Sequence, residues 1–315
     1  MNKYAISAIL AGCFWGCTGL FTRTLGALGL SSLEMLAIRC GVAAICFCLV
    51  IVLKDPKRLK VHKKDIWLFL AVGIAGQFLF SFFYYTAISM MSISTACILM
   101  YLSPALVMIM AHFIFKDNVG RQGVFSVVLC VLGCACVSGF GGTVSAKGLL
   151  FGLGSAICFA LINIFDRMLL KRGYDSQTVN FYLCLIAALS AILLCGVDTS
   201  ISVMTGSVSN FLLCVVWGIF TGFLPYLFFS HALSHCESGV VSVLASTEPV
   251  VASLISVVLF HEPFGILNFV GIVLVLVGIV LQNIQIKRHT AEKTKDAVAV
   301  TASFVLAEMG ASVCG

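Results

Sequence analysis

The chain alternates long apolar runs with short polar segments along most of its length. Ten runs come close to the roughly 20 residues that a helix needs to cross the hydrocarbon core of a membrane. They lie at 4–21, 33–53, 66–88, 93–115, 122–140, 147–166, 178–196, 209–231, 238–260 and 264–284. Such continuous runs indicate helices, because a span must satisfy its backbone polar groups internally. The pattern predicts an all-α integral membrane protein with ten transmembrane helices, the first of which is retained rather than cleaved.

The Lys and Arg residues fall almost entirely in alternate connections between these runs. Sixteen of the 19 lie on one side if the N-terminus is inside, Arg23 and Lys147 lie on the other, and Arg39 is within a span. The sixteen are Lys3, Lys54, Lys57, Arg58, Lys60, Lys63, Lys64, Lys116, Arg121, Arg167, Lys171, Arg172, Lys287, Arg288, Lys293 and Lys295. Cytoplasmic connections carry such an excess of positive charge. We therefore expect both termini to be cytoplasmic, in a multi-pass protein of the cytoplasmic membrane.

Composition agrees with a lipid-embedded chain. Hydrophobic residues make up 61% and charged residues 10% of the 315 positions, and the mean hydropathy is +1.11. A soluble domain is about half apolar and a quarter charged. No interleaving of basic and aromatic residues suggests nucleic acid as a partner. The partner that composition predicts is the lipid bilayer.

Motifs for catalysis or cofactor binding do not emerge from the sequence. We find no phosphate-binding loop, zinc-protease helix motif, nucleophile elbow or dinucleotide fingerprint. The 15 cysteines lie mostly inside apolar runs, where cysteine serves as a small apolar residue, and they lack partners at metal-ligand spacing. We predict that the protein is not an enzyme and uses no metal or other cofactor.

A shift of 145 residues aligns the two halves of the chain. Pro104 then meets Pro249, and each of these prolines lies within a predicted span. Phe115 meets Phe260 and Asp117 meets Glu262, while "LFTRTL" and "IFDRML" correspond at an offset of 144. Repeats of five helices must cross the membrane in opposite senses, which is a common construction of secondary transporters. We predict repeats at 1–142 and 143–286, and a mobile cytoplasmic tail at 287–315.

At this point the sequence resembles the EamA-type family of the drug/metabolite transporter superfamily. The resemblance rests on "FWG" at 14–16, Arg39 in "EMLAIRCG", "TEPVVASLISVVLFHEPF" at 247–264, and Gly278. The first repeat departs from the pattern: its acid is Asp117, and Ser103 replaces the acid before proline. The resemblance implies transport of small metabolites, often amino acids and often outward. It also implies that predicted helices 1, 3, 4, 6, 8 and 9 enclose a central cavity.

Two charged residues within the spans are the first candidates for this cavity. Glu248 stands in the middle of an apolar run, where a carboxylate is costly and suggests a function such as proton coupling. It could instead fix the Pro249 kink through hydrogen bonds to a neighbouring helix. Arg39 lies about six residues into its helix and could bind a substrate carboxylate, pair with Glu34, or extend to the membrane interface.

Further candidates are polar or aromatic residues within the spans. Gln77, Ser81 and Tyr84 recur at helical spacing and share one face, which predicts either a cavity wall or hydrogen bonds between helices. Asn163 and Trp217 allow the same two interpretations. The predicted substrate-binding set is Arg39, Gln77, Tyr84, Asn163, Trp217 and Glu248.

The resulting hypothesis is a secondary transporter that exports small organic metabolites, such as amino acids, by alternating access. Import, or facilitated diffusion of metabolites or drugs without ion coupling, is the alternative within transport. A membrane-embedded sensor or enzyme is the alternative of another class; the sequence shows neither a soluble output domain nor a catalytic constellation. A monomer and a homodimer both fit.

Overall fold

A computed structural model describes residues 3–116, 121–139, 145–233, 235, 241, 244–262 and 264–281. The regular structure in these ranges is helical, and they contain no strand. The apolar helices are α1 (Lys3–Ala27), α2 (Ser32–Lys54), α3 (Lys63–Met90), α4 (Ile93–Phe115), α5 (Arg121–Gly139), α6 (Ala146–Lys171), α7 (Ser176–Cys195), α8 (Val208–Ala232), α9 (Glu248–Phe260) and α10 (Ile266–Leu281). Short helices at Pro56–Leu59 and Asp198–Gly206 lie in the connections.

Seven helices of the described structure are long and apolar enough to cross a membrane: α1, α2, α3, α4, α6, α7 and α8. This result supports an integral membrane protein. The count of ten spans and the side on which the termini lie stay predictions. The tail at 287–315 and Asp117 lie outside the described residues.

Polar residues fix where many of these helices begin. Ser31 and Glu34 form a reciprocal capping box at the start of α2. Side-chain oxygens of Ser92, Ser145, Asp175 and Ser207 accept a backbone N–H at the starts of α4, α6, α7 and α8. These bonds satisfy donors that the first turn of a helix leaves without a partner.

Proline divides two of the predicted spans. Pro104 lies in the first turn of Ser103–Phe115, so α4 is interrupted at residues 101–102 after Ile93–Met100. Pro249 lies in the first turn of α9, which begins at Glu248. Residues 241, 244 and 245 of the predicted run are also helical, and a turn at residues 246–247 interrupts the run. Proline lacks the N–H of a helix interior and is tolerated at a helix start, which accounts for both positions.

Several structural details recur at a spacing of 145 residues. Lys116 and His261 are the two non-glycine residues with positive φ in the described ranges, at 57° and 50°. Each follows its helix as a left-handed cap, with its N–H bonded to the carbonyl of Ala111 or Ser256. Segments with π-helical hydrogen bonding end at Phe78 in α3 and at Phe223 in α8. These correspondences are what two related halves would produce.

Helix packing follows the same correspondence. α1 packs on α8 and α9, while α6 packs on α3 and α4; α2 packs on α7, and α4 on α9. Glycine allows two of the close approaches: a Cβ at Gly73 would lie 2.5 Å from Cγ2 of Ile186 in α7, and one at Gly218 would collide with Val42 in α2. The contacts of α1 with α8 and α9 therefore correspond to those of α6 with α3 and α4, as expected if the two halves are related.

Polar contacts between connections define the two ends of the bundle. Asp65 at the start of α3 is paired with Arg172 and accepts a hydrogen bond of 2.7 Å from the Tyr174 hydroxyl. The Tyr182 hydroxyl donates to the Leu59 carbonyl at 2.6 Å. We call this end, which carries the basic residues of 54–64 and 171–172, the basic end. Residues 28–31, 91–92, 261–262 and 264–265 form the opposite end.

Candidate functional site

Arg39 lies inside the helix bundle rather than at its surface, with 4% of its area exposed. Its Nε donates to the Thr221 hydroxyl at 3.2 Å, and one terminal nitrogen donates to the Thr221 carbonyl at 2.6 Å. The other terminal nitrogen donates to the Tyr85 hydroxyl at 3.1 Å. Gly222 permits this approach, because a Cβ there would lie 3.1 Å from the Arg39 carbonyl oxygen. The guanidinium thus joins α2, α3 and α8.

Two of the alternatives considered for Arg39 are not what the structure contains. Glu34 is bound to Ser31 in the capping box of α2 and does not pair with Arg39. The buried guanidinium also does not extend to the membrane interface. A charge in this position is stabilised by the hydrogen bonds that it donates to its neighbours.

Gln77 lies in the π-helical segment of α3 and is 1% exposed. Its amide nitrogen donates to the Ser81 hydroxyl at 3.0 Å and approaches the Cys40 sulfur at 3.8 Å. Its amide oxygen is buried and has no hydrogen-bond partner among the described residues. A buried acceptor without a partner is costly, so this atom is a natural contact for a bound molecule.

Trp217 and Tyr84 line the same interior. Trp217 is fully buried, its ring lies 5.6 Å from the Tyr85 ring, and its indole N–H finds no acceptor in the described part of the chain. Tyr84 is 3% exposed, and its ring lies 6.3 Å from that of Tyr85. Among the described residues, the interior therefore contains both a hydrogen-bond donor without a partner, the Trp217 indole N–H, and an acceptor without one, the Gln77 amide oxygen.

Glu248 begins α9 and is 9% exposed. Its carboxylate accepts a hydrogen bond of 3.0 Å from the Tyr101 hydroxyl, which comes from the interruption in α4. The first turn of a helix presents unbonded N–H groups and a partial positive charge, which favours an acid there. The turn before Pro249 thus creates the position in which a carboxylate can be buried.

Asn163 is separate from these residues. Its side chain is exposed and donates to the Phe159 carbonyl of its own helix at 2.7 Å. The structure therefore brings Arg39, Gln77, Tyr84, Trp217 and Glu248 into the interior of the bundle but leaves Asn163 outside it. We call these five residues the central cluster.

Sequence reasoning did not single out two residues of the interior. Thr221 supplies two acceptors to Arg39, and a threonine in an apolar run carries no signal of that role. Asp166 of α6 has a buried carboxylate oxygen with no hydrogen-bond partner within the described structure. Its signal was visible, since it is an acid at the last position of a predicted span.

A cavity of about 1000 Å³ opens at the opposite end of the bundle. Its walls include Thr22, Arg23, Met35, Thr95, Cys136 and Glu262. None of the six predicted site residues lines it in the described structure. The central cluster and this cavity are therefore separate features. Among the described residues, no group of three or more His, Cys, Asp and Glu side chains could hold a metal ion.

Comparison with known proteins identifies relatives along nearly the whole chain. YyaM of Bacillus subtilis is 27% identical over 253 residues, which cover 76% of this chain and 81% of the relative. YxxF of the same organism is 25% identical over 281 residues and 88% of each chain. A protein of Archaeoglobus fulgidus is 25% identical over 280 residues, or 89% of this chain and 98% of the relative. All three are named uncharacterized transporters.

The fold and the family agree with these relatives. A solved crystal structure aligns with a TM-score of 0.63 at 17% identity, over 90% of this chain and 98% of the other, which shows a shared fold. The sequence model of the EamA-like transporter family matches residues 2–139 and again 146–284. The protein therefore belongs to the EamA-like transporter family, within the drug/metabolite transporter superfamily.

Proposed function

We propose that the protein is a secondary transporter that exports small organic metabolites, such as amino acids, across the cytoplasmic membrane. The central cluster carries this proposal. It places a guanidinium, a carboxylate, a free amide oxygen and a free indole N–H inside an apolar bundle. Polar groups buried in lipid-embedded helices are costly and mark substrate or ion pathways. A polar solute that binds these groups supplies the partners that the protein leaves out.

The transport cycle that we propose is alternating access between two inverted halves, 1–142 and 143–286, with ten spans in all. Support comes from the matched caps at Lys116 and His261 and from the exchangeable helix contacts. Halves of this kind can adopt two equivalent packings, one open to each side. The charge bias favours the basic end as the cytoplasmic side, with both termini there.

Each member of the central cluster has a role in this proposal. Arg39 uses three donor contacts to hold α2, α3 and α8 together and attracts an anionic group of the substrate. Gln77 and Trp217 contribute the free acceptor and the free donor, and Tyr84 forms an aromatic wall. Asn163, a predicted member of the set, is omitted because its side chain is exposed and bound to its own helix.

Glu248 is the group that we propose for proton coupling. Its carboxylate is held by the Tyr101 hydroxyl, so gain of a proton removes the charge and changes this contact between α4 and α9. A protonation event at that position would bias the packing of the two helices. Import would use the same site in the opposite direction. Uncoupled diffusion would use it without this protonation step, and the following experiment tests for the step.

The test is transport by the purified protein in proteoliposomes, with a library of amino acids and related metabolites and with or without a pH gradient. We expect flux of particular solutes that follows the gradient and is lost in Glu248→Gln. Asn163→Ala is the matched control and should retain flux, since its side chain lies outside the cluster. Flux that ignores the gradient and persists in Glu248→Gln would make the protein an uncoupled facilitator. Absence of flux for every solute would contradict the proposed substrate class.

A further inference from the structure

A second charged contact lies apart from the central cluster, at the opposite end of the bundle. Arg23, near the end of α1, forms an ion pair with Glu262, which follows α9. Both residues line the cavity of about 1000 Å³. Their side chains are 29% and 11% exposed, so water reaches the pair but does not surround it.

The pair connects four parts of the fold. Arg23 also donates to the Met91 carbonyl at 2.8 Å, in the connection between α3 and α4. Glu262 accepts the backbone N–H of Ile93 at 3.1 Å and the hydroxyl of Ser256. Two charged side chains therefore join the end of α1, the connection between α3 and α4, the start of α4 and the end of α9.

Arg23 also covers an aromatic ring. Its guanidinium carbon lies 5.3 Å from the centre of the Phe260 ring, within the range of a cation–π contact. The basic end shows the related arrangement: Arg167 of α6 lies 4.2 Å from the centre of the Phe115 ring. Arg23 and Arg167 differ by 144 positions, and Phe260 and Phe115 by 145, the offsets at which the two halves align. At each end, an arginine thus packs over the phenylalanine at the last position of a helix: Arg23 over Phe260 of α9, and Arg167 over Phe115 of α4.

Beneath the ion pair, α4 and α9 are in direct polar contact. The hydroxyls of Ser94 and Ser253 are 2.8 Å apart, and both side chains are buried. Ser94 follows Ile93, whose N–H is bound by Glu262. A movement of α4 away from α9 at this end would separate the two serines and expose them to the cavity.

We propose that the Arg23–Glu262 ion pair is the closing contact of the outer gate, and that its rupture admits the outward-open state. This inference rests on the proposed alternating access. In it, two residues outside the substrate site control the equilibrium between the closed and the outward-open state. A charged pair that forms in the closed state alone stabilises that state by its full interaction. Arg23 and Glu262 are therefore positioning residues for transport.

The experiment measures opening directly and needs no knowledge of the substrate. Ser94→Cys is a nearly isosteric reporter, and a membrane-impermeant maleimide in proteoliposomes reports its exposure by tandem mass spectrometry, whose fragment ions distinguish position 94 from the native Cys97. Glu262→Gln in this background removes the charge while keeping an acceptor. We expect the labelling rate at position 94 to rise about tenfold, which corresponds to about 1.4 kcal/mol in the gate equilibrium. Arg23→Gln should have the same effect, and the double variant should exceed neither by much, because both changes break one contact.

Asp175→Asn is the matched control. It removes an exposed contact of 3.5 Å between Arg58 and Asp175 at the basic end, and it should leave labelling at position 94 unchanged. Unchanged labelling in Glu262→Gln and Arg23→Gln, in protein with the parent's melting temperature, overturns the gate. Equal increases in all variants, the control included, also overturn it, because they indicate general loosening. A protein that transports none of the tested solutes but shows the selective increase retains the gate and loses the proposed substrate class.

Discussion

Arg39 donates its hydrogen bonds to groups on two other helices, α3 and α8, rather than to an acid beside it. Its hydrogen bonds reach the hydroxyl and carbonyl of Thr221 and the hydroxyl of Tyr85, and all three residues are buried. The planar guanidinium suits this arrangement because its donors point in fixed directions. The residue is consequently a structural fastener and a candidate substrate contact at once.

Arg39→Lys tests the fastening role. The ammonium keeps the charge but cannot reach both acceptors of Thr221 and the Tyr85 hydroxyl together, so buried acceptors lose their donors. We expect the free energy of unfolding in detergent micelles to fall by about 1.5–3 kcal/mol, the usual range for a hydrogen bond to a charged group. Thr221→Ser is the control. It retains the hydroxyl and removes one methyl, so a loss of about 1 kcal/mol or less is expected. Equal losses for the two variants would contradict the account.

At the residue scale, charged residues within apolar runs can be recognised from the sequence, whereas their hydrogen-bond partners cannot. Glu248 and Arg39 stand out because each is a charge inside an apolar run. Thr221 does not, since its role depends on a contact between residues 182 positions apart. From the sequence, Asn163 was as good a candidate for the cavity wall as Gln77. The structure distinguishes them, because the Gln77 side chain is buried and the Asn163 side chain is exposed.

At the scale of the helix, glycine and proline decide how segments meet. The apolar runs predicted α2 to within one residue at each end, since Ser32–Lys54 covers the run 33–53. They did not predict the interruption of α4 at residues 101–102 or the turn at residues 246–247 before α9. Hydropathy cannot register such breaks, because the broken turns remain apolar. The prolines themselves were the visible signal.

Gly218 offers a test of helix contact. A Cβ at this position would collide with Val42 of α2, whereas a Cβ at Gly41 meets nothing within 4 Å. Both residues lie in helical segments, so alanine brings each a similar gain in helix propensity. We expect Gly218→Ala to lower the free energy of unfolding by about 1–3 kcal/mol relative to Gly41→Ala, because of overpacking. Thermal or denaturant unfolding in micelles measures the difference. Indistinguishable stabilities would show that α2 and α8 can shift apart at little cost.

At the scale of the whole molecule, connections distant in sequence are joined at each end. Asp65 and Arg172 unite the two halves at the basic end, as Arg23 and Glu262 do at the opposite end. The repeat could be proposed from the offset of 145 because prolines and helix ends recur at that spacing. Lipid-facing residues are less restricted in type, so they differ between the halves and carry little of the signal. The cavity at the opposite end could not be predicted, since its volume depends on how the helices around it pack.

The native lysines test the orientation without mutation. Lys147 is exposed at the start of α6, and Lys57, Lys60, Lys63 and Lys64 are exposed at the basic end. In intact cells, a membrane-impermeant amine reagent should modify Lys147 and leave the other four unmodified until the membrane is permeabilised. Peptide mass spectrometry gives the extent at each site. Modification of the basic end in intact cells would reverse the proposed orientation and, with it, the outer location of the Arg23–Glu262 gate.

The thiols distributed through the bundle give this protein its own set of reporters. Twelve described cysteines are free; Cys136 lines the cavity, while Cys40 and Cys184 are buried together in the interior. Alkylation of the unaltered chain should therefore proceed in steps ordered by depth, quickly at the cavity and slowly at the centre. A ligand that stabilises the closed bundle would slow alkylation of the buried cysteines further and leave the rate at Cys136 unchanged. Candidate solutes could thus be ranked by the protection they confer on natural side chains, before any flux is measured.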